Sequence, residues 1–314
     1  MRPLPASPAG RGRKPSDIAL IQCFDCPLNS TKRGMDGLKT TQQVSAPISY
    51  VESVPNAERA YHLMYGDTSD LPRTNILRQW HDTTFFDLRG REHEINYVNN
   101  GIAIAKLRST MTYEDFDDDS KVWTIYFKEL ESLLRDCLCA TEVKFFRYGI
   151  RKRHEQFPRS TGIEYEYAQP TSIAHVDATL ASTREEMRKH FGEIANDLMT
   201  RRFAWVNVWR PLRGVVNDWP LCFCDAATVE HGDAETTDMV YPEYFTENLS
   251  LRHSAGQKWY YLSDHTPDEI IIFKQSDSDH SAVGGVPHCS FANPAANANE
   301  TPRESIEARA LVIF

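Results

Sequence analysis

His175-Val176-Asp177 is the tripeptide in this chain best suited to metal chemistry. It lies in residues 171–179, which read as a strand. In a strand, residues i and i+2 point to one face, so the imidazole and the carboxylate emerge side by side, roughly 6–7 Å apart at the backbone. Both can then reach one metal ion. Two such ligands and a distant histidine make a 2-His-1-carboxylate facial triad, the arrangement of mononuclear non-haem iron sites that leaves coordination positions open. A His-x-Asp alone is also a common surface accident, so the reading needs a third ligand and a reason for the metal.

Eleven histidines are available. After the helix expected at 183–200 come His231, His253, His265, His280 and His288. His280 sits in the polar, loop-like run 276–280. His288 follows Gly284-Gly285 and opens an apolar segment, so it can start a strand and supply the third ligand. The C-terminal residues 303–314 alternate cleanly. Ile306, Ala308, Ala310, Val312 and Phe314 make an apolar face, while Arg303, Ser305, Glu307 and Arg309 share the other. Two guanidinium forks on one face could bracket a five-carbon dicarboxylic acid, although their Cα atoms are roughly 20 Å apart. The competing reading for Arg309 is an internal salt bridge to Glu307 or Asp225. In the strand 204–209, Asn207 is expected to face inward with Trp205 and Trp209. Arg210, one residue out of phase, then faces away. Arg151 and Arg153 either anchor an anionic substrate or are solvated.

These residues need a β scaffold to hold them. Residues 47–51, 84–88, 101–105, 143–148, 171–179, 204–209, 221–224, 258–262, 269–274 and 305–314 read as strands, at the irregular spacing of a β-sandwich or jelly roll. An amphipathic helix is expected at about 117–139, with Val122, Tyr126, Leu130, Leu133 and Leu134 inward. A second is expected at about 183–200, capped at Ser182 with Glu185 completing a capping box and Met187, Phe191, Ile194 and Leu198 inward. At 314 residues with 41% hydrophobic and 25% charged content, the chain can build a packed core. Residues 1–40 read as a disordered or irregular arm without the apolar region of a signal peptide, and 41–314 as a single jelly-roll domain. A net charge of −9 argues against nucleic-acid binding. No apolar run is long enough to cross a membrane. Seven cysteines favour free thiols in a reducing, cytoplasmic setting. Cys23-x-x-Cys26 has no partner motif for a structural zinc site. Cys137/Cys139 and Cys222/Cys224 read as buried thiols. No dinucleotide, Walker A or serine-hydrolase motif occurs.

Arg303-x-Ser305 after a distal histidine resembles the co-substrate motif of Fe(II)/2-oxoglutarate-dependent dioxygenases. Arg303-x-Ser305-x-x-x-Arg309 also resembles the paired-arginine pattern of their nucleic-acid demethylase branch. Blocks at 147–153, 174–179, 207–212, 258–263, 287–291 and 302–311 are similar, in order, to the fungal gibberellin desaturase-like (hydroxylase/desaturase) family. The resemblance implies a mainly β fold with flanking α-helices around a double-stranded β-helix (jelly-roll) core. It implies Fe(II) on His175, Asp177 and His288, with 2-oxoglutarate and O2 as co-substrates. It gives Arg303, Ser305 and Arg309 to 2-oxoglutarate, the first at the distal carboxylate, with Asn207 as a further donor. The implied reaction is hydroxylation, desaturation or oxidative cyclisation, such as aziridine formation on an amino acid, of a small molecule of fungal secondary metabolism. The stretch 291–301 and the residues before about 45 depart from the family's pattern. Two alternatives are a cupin-like metal-dependent isomerase or lyase that ignores 2-oxoglutarate, against which Arg303 and Ser305 speak, and a binding module with structural histidines. Substrate identity and oligomeric state are not specified by these residues.

Overall fold

The computed structural model describes residues 22–23, 42–65, 71–159, 162–297 and 299–314. Most of the arm expected over 1–40, with Cys26, lies outside these residues. The strands in chain order are β1 (Gln22–Cys23), β2 (Gln43–Ser53), β3 (Ala60–Leu63), β4 (Leu77–Asp87), β5 (Ile102–Lys106), β6 (Glu142–Lys152), β7 (His175–Val176), β8 (Phe203–Pro211), β9 (Leu221–Cys224), β10 (Ala234–Val240), β11 (Phe245–Leu251), β12 (Trp259–Tyr261), β13 (Glu269–Asp277), β14 (His288–Ser290) and β15 (Glu304–Ile313). They form a six-stranded sheet, β1-β5-β13-β8-β15-β6, and a nine-stranded sheet, β2-β4-β12-β9-β14-β7-β11-β10-β3. The two make the jelly roll that the sequence implied.

The interior forms where Ile104, Trp209, Ile271 and Phe273 of the first sheet meet Leu221 and Phe223 of the second. The alternation of β15 settles its two faces. Ile306, Ala308, Ala310 and Val312 pack outward beneath the helix Phe127–Leu138, against Leu130, Leu133 and Leu134. The other face turns Arg303 and Arg309 into the roll. Strand β15 lies antiparallel between β6 and β8, in unbroken register with β8 and with a bulge against β6 after Arg309, so its inward residues are held by ladders on both sides.

Three expectations change. The helix expected from 183 starts at Leu180, because Thr179 is the cap: its side chain accepts from the Ser182 amide. That helix stops at Gly192, whose φ of 57° breaks the α-geometry, and Ile194 turns out to 56% exposure instead of joining the apolar stripe. The segment 171–179 is not one strand; only His175–Val176 is laddered, between β14 and β11. Strands β3, β10 and β11 were not expected. β3 is only four residues long, β10 mixes polar and apolar residues on both faces, and the apolar face of β11 (Phe245, Leu249, Leu251) is interrupted by Glu247, so none gives a clean period-2 signal.

One buried titratable cluster sits just outside the roll. The His265 Nε2–H donates to the Glu269 carbonyl at 2.9 Å, and the Glu269 carboxylate takes the Arg89 guanidinium at 2.6 and 2.9 Å. Burial pushes His265 down to about 4. Burial alone would raise Glu269, but the Arg89 fork outweighs it and brings the carboxyl down to about 2. Both folded-state values lie below the unfolded ones. The His265 contribution is therefore whole above its ordinary 6.5 and declines as pH falls from 6.5 to 4, and that of Glu269 declines from 4.5 to 2. Denaturant unfolding across this range is expected to show stability falling below pH 6.5. His265→Asn should flatten the upper part of the decline by up to about 1.4 kcal/mol per pH unit. An unchanged slope in the variant would assign the acid sensitivity to other groups.

Candidate metal centre and its two cavities

The central strands of the nine-stranded sheet bring the distant residues together. His175 of β7 and His288 of β14 are direct cross-strand partners, with ring centroids 4.5 Å apart. Asp177 follows on the His175 face, its amide donating to Gln275 Oε1 at 2.7 Å. One ligand atom from each of the three side chains lies within 4.8 Å of the others. The His175 and His288 Nδ1 atoms face the carbonyls of Ile173 and Val286, at 2.7 and 3.2 Å. Each Nδ1 therefore carries the proton and leaves an Nε2 lone pair. The two Nε2 atoms stand 3.3 and 4.0 Å from the Asp177 carboxylate. Three lone-pair atoms converge with no proton between them, and that donor set fits a divalent cation.

The electrostatics keep these groups in ligand form. Burial pushes His288 down to about 4, and the neighbouring His175 pushes it the same way, so the ring is neutral near pH 7. Burial alone would raise the Asp177 carboxyl. Arg309, 3.1 Å away, is the leading influence that outweighs burial and holds it well below the usual carboxylate range.

Asn207 is fully buried and faces inward as expected, while Arg210 points the other way, over the rings of Phe116 and Tyr126. The partner of Asn207 differs from the expectation. Its Nδ2 donates to Asp177 Oδ2 at 2.6 Å, and its Oδ1 accepts from the Trp205 indole at 2.9 Å. Among the described residues these are the hydrogen bonds of the side chain expected to serve the co-substrate.

Arg303, just before β15, and Arg309, within it, occupy different settings. Arg309 makes the internal pair with Glu307, at 3.2 Å, as well as the contact to Asp177, while Asp225 lies elsewhere and accepts from Asn100. Arg303 is 2% exposed; its backbone amide donates to Asp218 Oδ2 at 2.9 Å, and its guanidinium makes no salt bridge among the described residues. Its Nη1 donates to the Trp219 carbonyl at 2.7 Å and Ser290 Oγ at 2.6 Å, and its Nε is buried without a partner. Burial and the charge of Arg151 push it down to about 9. A narrow cleft runs from the three candidate ligands to Arg303 and Ser290, walled by Trp209 and Leu221. Ser305 is buried on the same strand without lining the cleft. A second, larger cavity of about 350 Å³ opens on His175 and Asp177 from the other side. Arg151 borders both cavities and donates to the Gln169 carbonyl, whereas Arg153 is paired with Asp218 at 2.5 Å. Sequence reading missed Ser290, Gln275 and the polar wall from β10 and β11. Ser290 alone had a signal, two residues beyond His288 on the same strand face.

A profile of the family described as "Oxidoreductase/YMDC permease-like domain" matches residues 48–313. The Fe(II)/2-oxoglutarate-dependent dioxygenase nvfI of Aspergillus novofumigatus is 32% identical over 272 residues, covering 82% of this chain and 93% of that protein. The chain belongs to the Fe(II)/2-oxoglutarate-dependent dioxygenases. The hydroxylase/desaturase poxK of Penicillium oxalicum is 25% identical over 301 residues, 86% of this chain and 90% of its own. A solved structure of the iron and alpha-ketoglutarate-dependent endoperoxidase NvfI superimposes with a TM-score of 0.78 at 27% identity, covering 88% of this chain and 99% of that one. Membership of this dioxygenase family brings Fe(II), 2-oxoglutarate and O2 as the reagents.

The Trp205–Asn207–Asp177 relay yields a direct expectation. Asn207→Leu strips Asp177 of its shortest hydrogen bond and strands a buried indole N–H. Stability should fall by about 1–3 kcal/mol. Zn(II) affinity, measured by chelator competition, should fall roughly 10–100-fold. Unchanged affinity would mean that Arg309 alone fixes the carboxylate.

Proposed function

We propose that His175, Asp177 and His288 hold Fe(II), that Arg303 anchors the distal carboxylate of 2-oxoglutarate, and that the larger cavity presents a C–H bond of a small molecule of fungal secondary metabolism. The observation that carries this reading is the convergence of two Nε2 lone pairs and an ionised carboxylate whose other hydrogen-bonding positions are already committed. With 2-oxoglutarate and O2, bound Fe(II) supplies the oxidising chemistry, in which the co-substrate becomes succinate and CO2.

The chain's residues supply position and electrostatics. Arg309 keeps Asp177 ionised, and Asn207 fixes its plane. The Arg303 guanidinium lines the end of the narrow cleft with its buried Nε unpartnered and is suited to a carboxylate, and Ser290 and the Trp219 carbonyl hold it in place. The walls of the cleft exclude water around these charges, which strengthens each contact. Hydroxylation, desaturation and cyclisation would be separated by how the larger cavity seats the substrate. The cupin-like alternative leaves the buried Arg303 guanidinium, which has no salt bridge among the described residues, without a purpose. A cytoplasmic location is supported by the free thiols of Cys139, Cys222, Cys224 and Cys289. Among the described residues no helix is long and apolar enough to cross a membrane.

Anaerobic titration with Fe(II), with and without 2-oxoglutarate, tests the reading. A weak visible charge-transfer absorption is expected only when both are present, and its absence in folded protein overturns the proposal. Arg303→Ala should weaken 2-oxoglutarate binding by roughly 30-fold or more while leaving Fe(II) affinity in place, because a desolvated charge pair is worth about 2–5 kcal/mol. Arg309→Ala should loosen the metal first. If Arg309→Ala alone weakens 2-oxoglutarate, the two arginines exchange roles.

A further inference from the structure

The larger cavity holds more positive charge than its described surroundings neutralise. Four arginines line it: Arg78, Arg147, Arg151 and Arg309. Its acidic residues are Asp177 and Glu186. Arg309 is balanced by Asp177 and Glu307. Glu186 is engaged by His190 at 2.9 Å and Lys189 at 4.0 Å. Arg151 spends its hydrogen bond on a backbone carbonyl.

Arg78 and Arg147 have no acidic partner among the described residues. The hydrogen bond of Arg78 is a long one, from Nη2 to Ser250 Oγ at 3.3 Å, and its Nη1 is buried with no partner at all. Burial without a compensating anion lowers its pKa. His62, on the same wall, is pushed down by burial and by the charges of Arg73 and Arg78. The Arg147 side chain makes no hydrogen bond or ion pair among the described residues, and its cross-strand neighbour on β15 is another arginine, Arg309. Like charges directly opposite on a sheet are unfavourable, and so is a desolvated, unpaired guanidinium. A protein keeps such groups at a cavity wall when a ligand brings the missing anion.

We propose that the substrate of this dioxygenase carries a carboxylate, and that Arg78, assisted by Arg147, grips it in the larger cavity. The proposal rests on the assignment of the iron and 2-oxoglutarate sites above. The placement also restricts which carbons react. Ser250, the hydroxyl that touches Arg78, is the cross-strand partner of His175. A carboxylate held by Arg78 therefore sits beside the metal end of the cavity, and carbons near that carboxylate are the ones presented for oxidation. A bidentate fork also explains why arginine is used here in place of lysine.

The test uses the full chain loaded with Zn(II) in place of iron and saturated with 2-oxoglutarate, so that the Arg303 cleft is filled. Benzoate, hexanoate and N-acetylvaline are titrated calorimetrically beside their neutral primary amides. At least one acid should bind about tenfold or more tighter than its amide. Arg78→Gln should abolish that preference, Arg147→Gln should reduce it, and Arg78→Lys should restore part of it. Without ligand, Arg78→Gln should unfold at the same or a higher temperature than the parent, because it removes a partly buried charge that has no acidic partner among the described residues. The proposal fails if no acid outbinds its amide, if Arg78→Gln retains the preference, or if that variant is less stable unliganded, which would make Arg78 a structural residue. Charge-transfer absorption with Fe(II) and 2-oxoglutarate separates the two levels. An absorption that forms without acid preference overturns the carboxylate grip alone, and one that never forms in the parent overturns the underlying site.

Discussion

The carboxylate of Asp177 is buried, and a buried charge must be answered at once by charge and hydrogen bonds or it will protonate. Arg309 answers it with charge, Asn207 with an amide, and His175 and His288 bring the faces left for a metal. Each partner comes from a different strand, β15, β8, β7 and β14. Satisfying this one group therefore fixes the relative placement of four strands from both sheets. The rest of the scaffold reads as support for that convergence. The Trp205 indole holds Asn207, Gln275 holds the Asp177 amide, and Phe273 packs against the His288 ring with centroids 4.8 Å apart.

The same constraint divides the interior into two chemical compartments. On one side, Arg303 lies in a narrow cleft with rigid walls and a donor left open. On the other, a roomier cavity is walled by mostly polar side chains of β10 and β11 and lined by arginines of β4, β6 and β15 that are only partly balanced. A small diacid common to many reactions suits a tight, well-desolvated site. A substrate that differs from enzyme to enzyme suits a wall built from strands with little apolar periodicity to preserve. The position of Arg309 between the two compartments explains why it pairs with Glu307 as well as with Asp177: the second acid keeps its charge from dominating the metal end.

Where sequence reading failed, a named physical cause stands behind it. The helix cap was misplaced by three residues because Ser182 and Glu185 mimic a capping box, while the Thr179 hydroxyl reaches the orphan Ser182 amide first. Strands β10 and β11 went unseen because their inward side chains face a polar cavity. Asn207 was placed on the correct face, since alternation along β8 is local. Its partner was not foreseen, because Asp177 reaches it from another sheet.

The amino-acid sequence by itself determined which side chains can share a face. His175 with Asp177, Arg303 with Arg309, Asn207 opposite Arg210 and the apolar underside of β15 all follow from a period of two residues along one strand. Blocks of residues in a family's order carried the cofactors. Only the tertiary structure decided that His288 is the histidine opposite His175, that Arg309 reaches Asp177 while Arg303 stands in a cleft with an open donor, and that Arg78 and Arg147 face a shared cavity. Those relations join strands far apart in the chain. Sheet register and burial set them, and neither leaves a local periodic trace for sequence reading to follow.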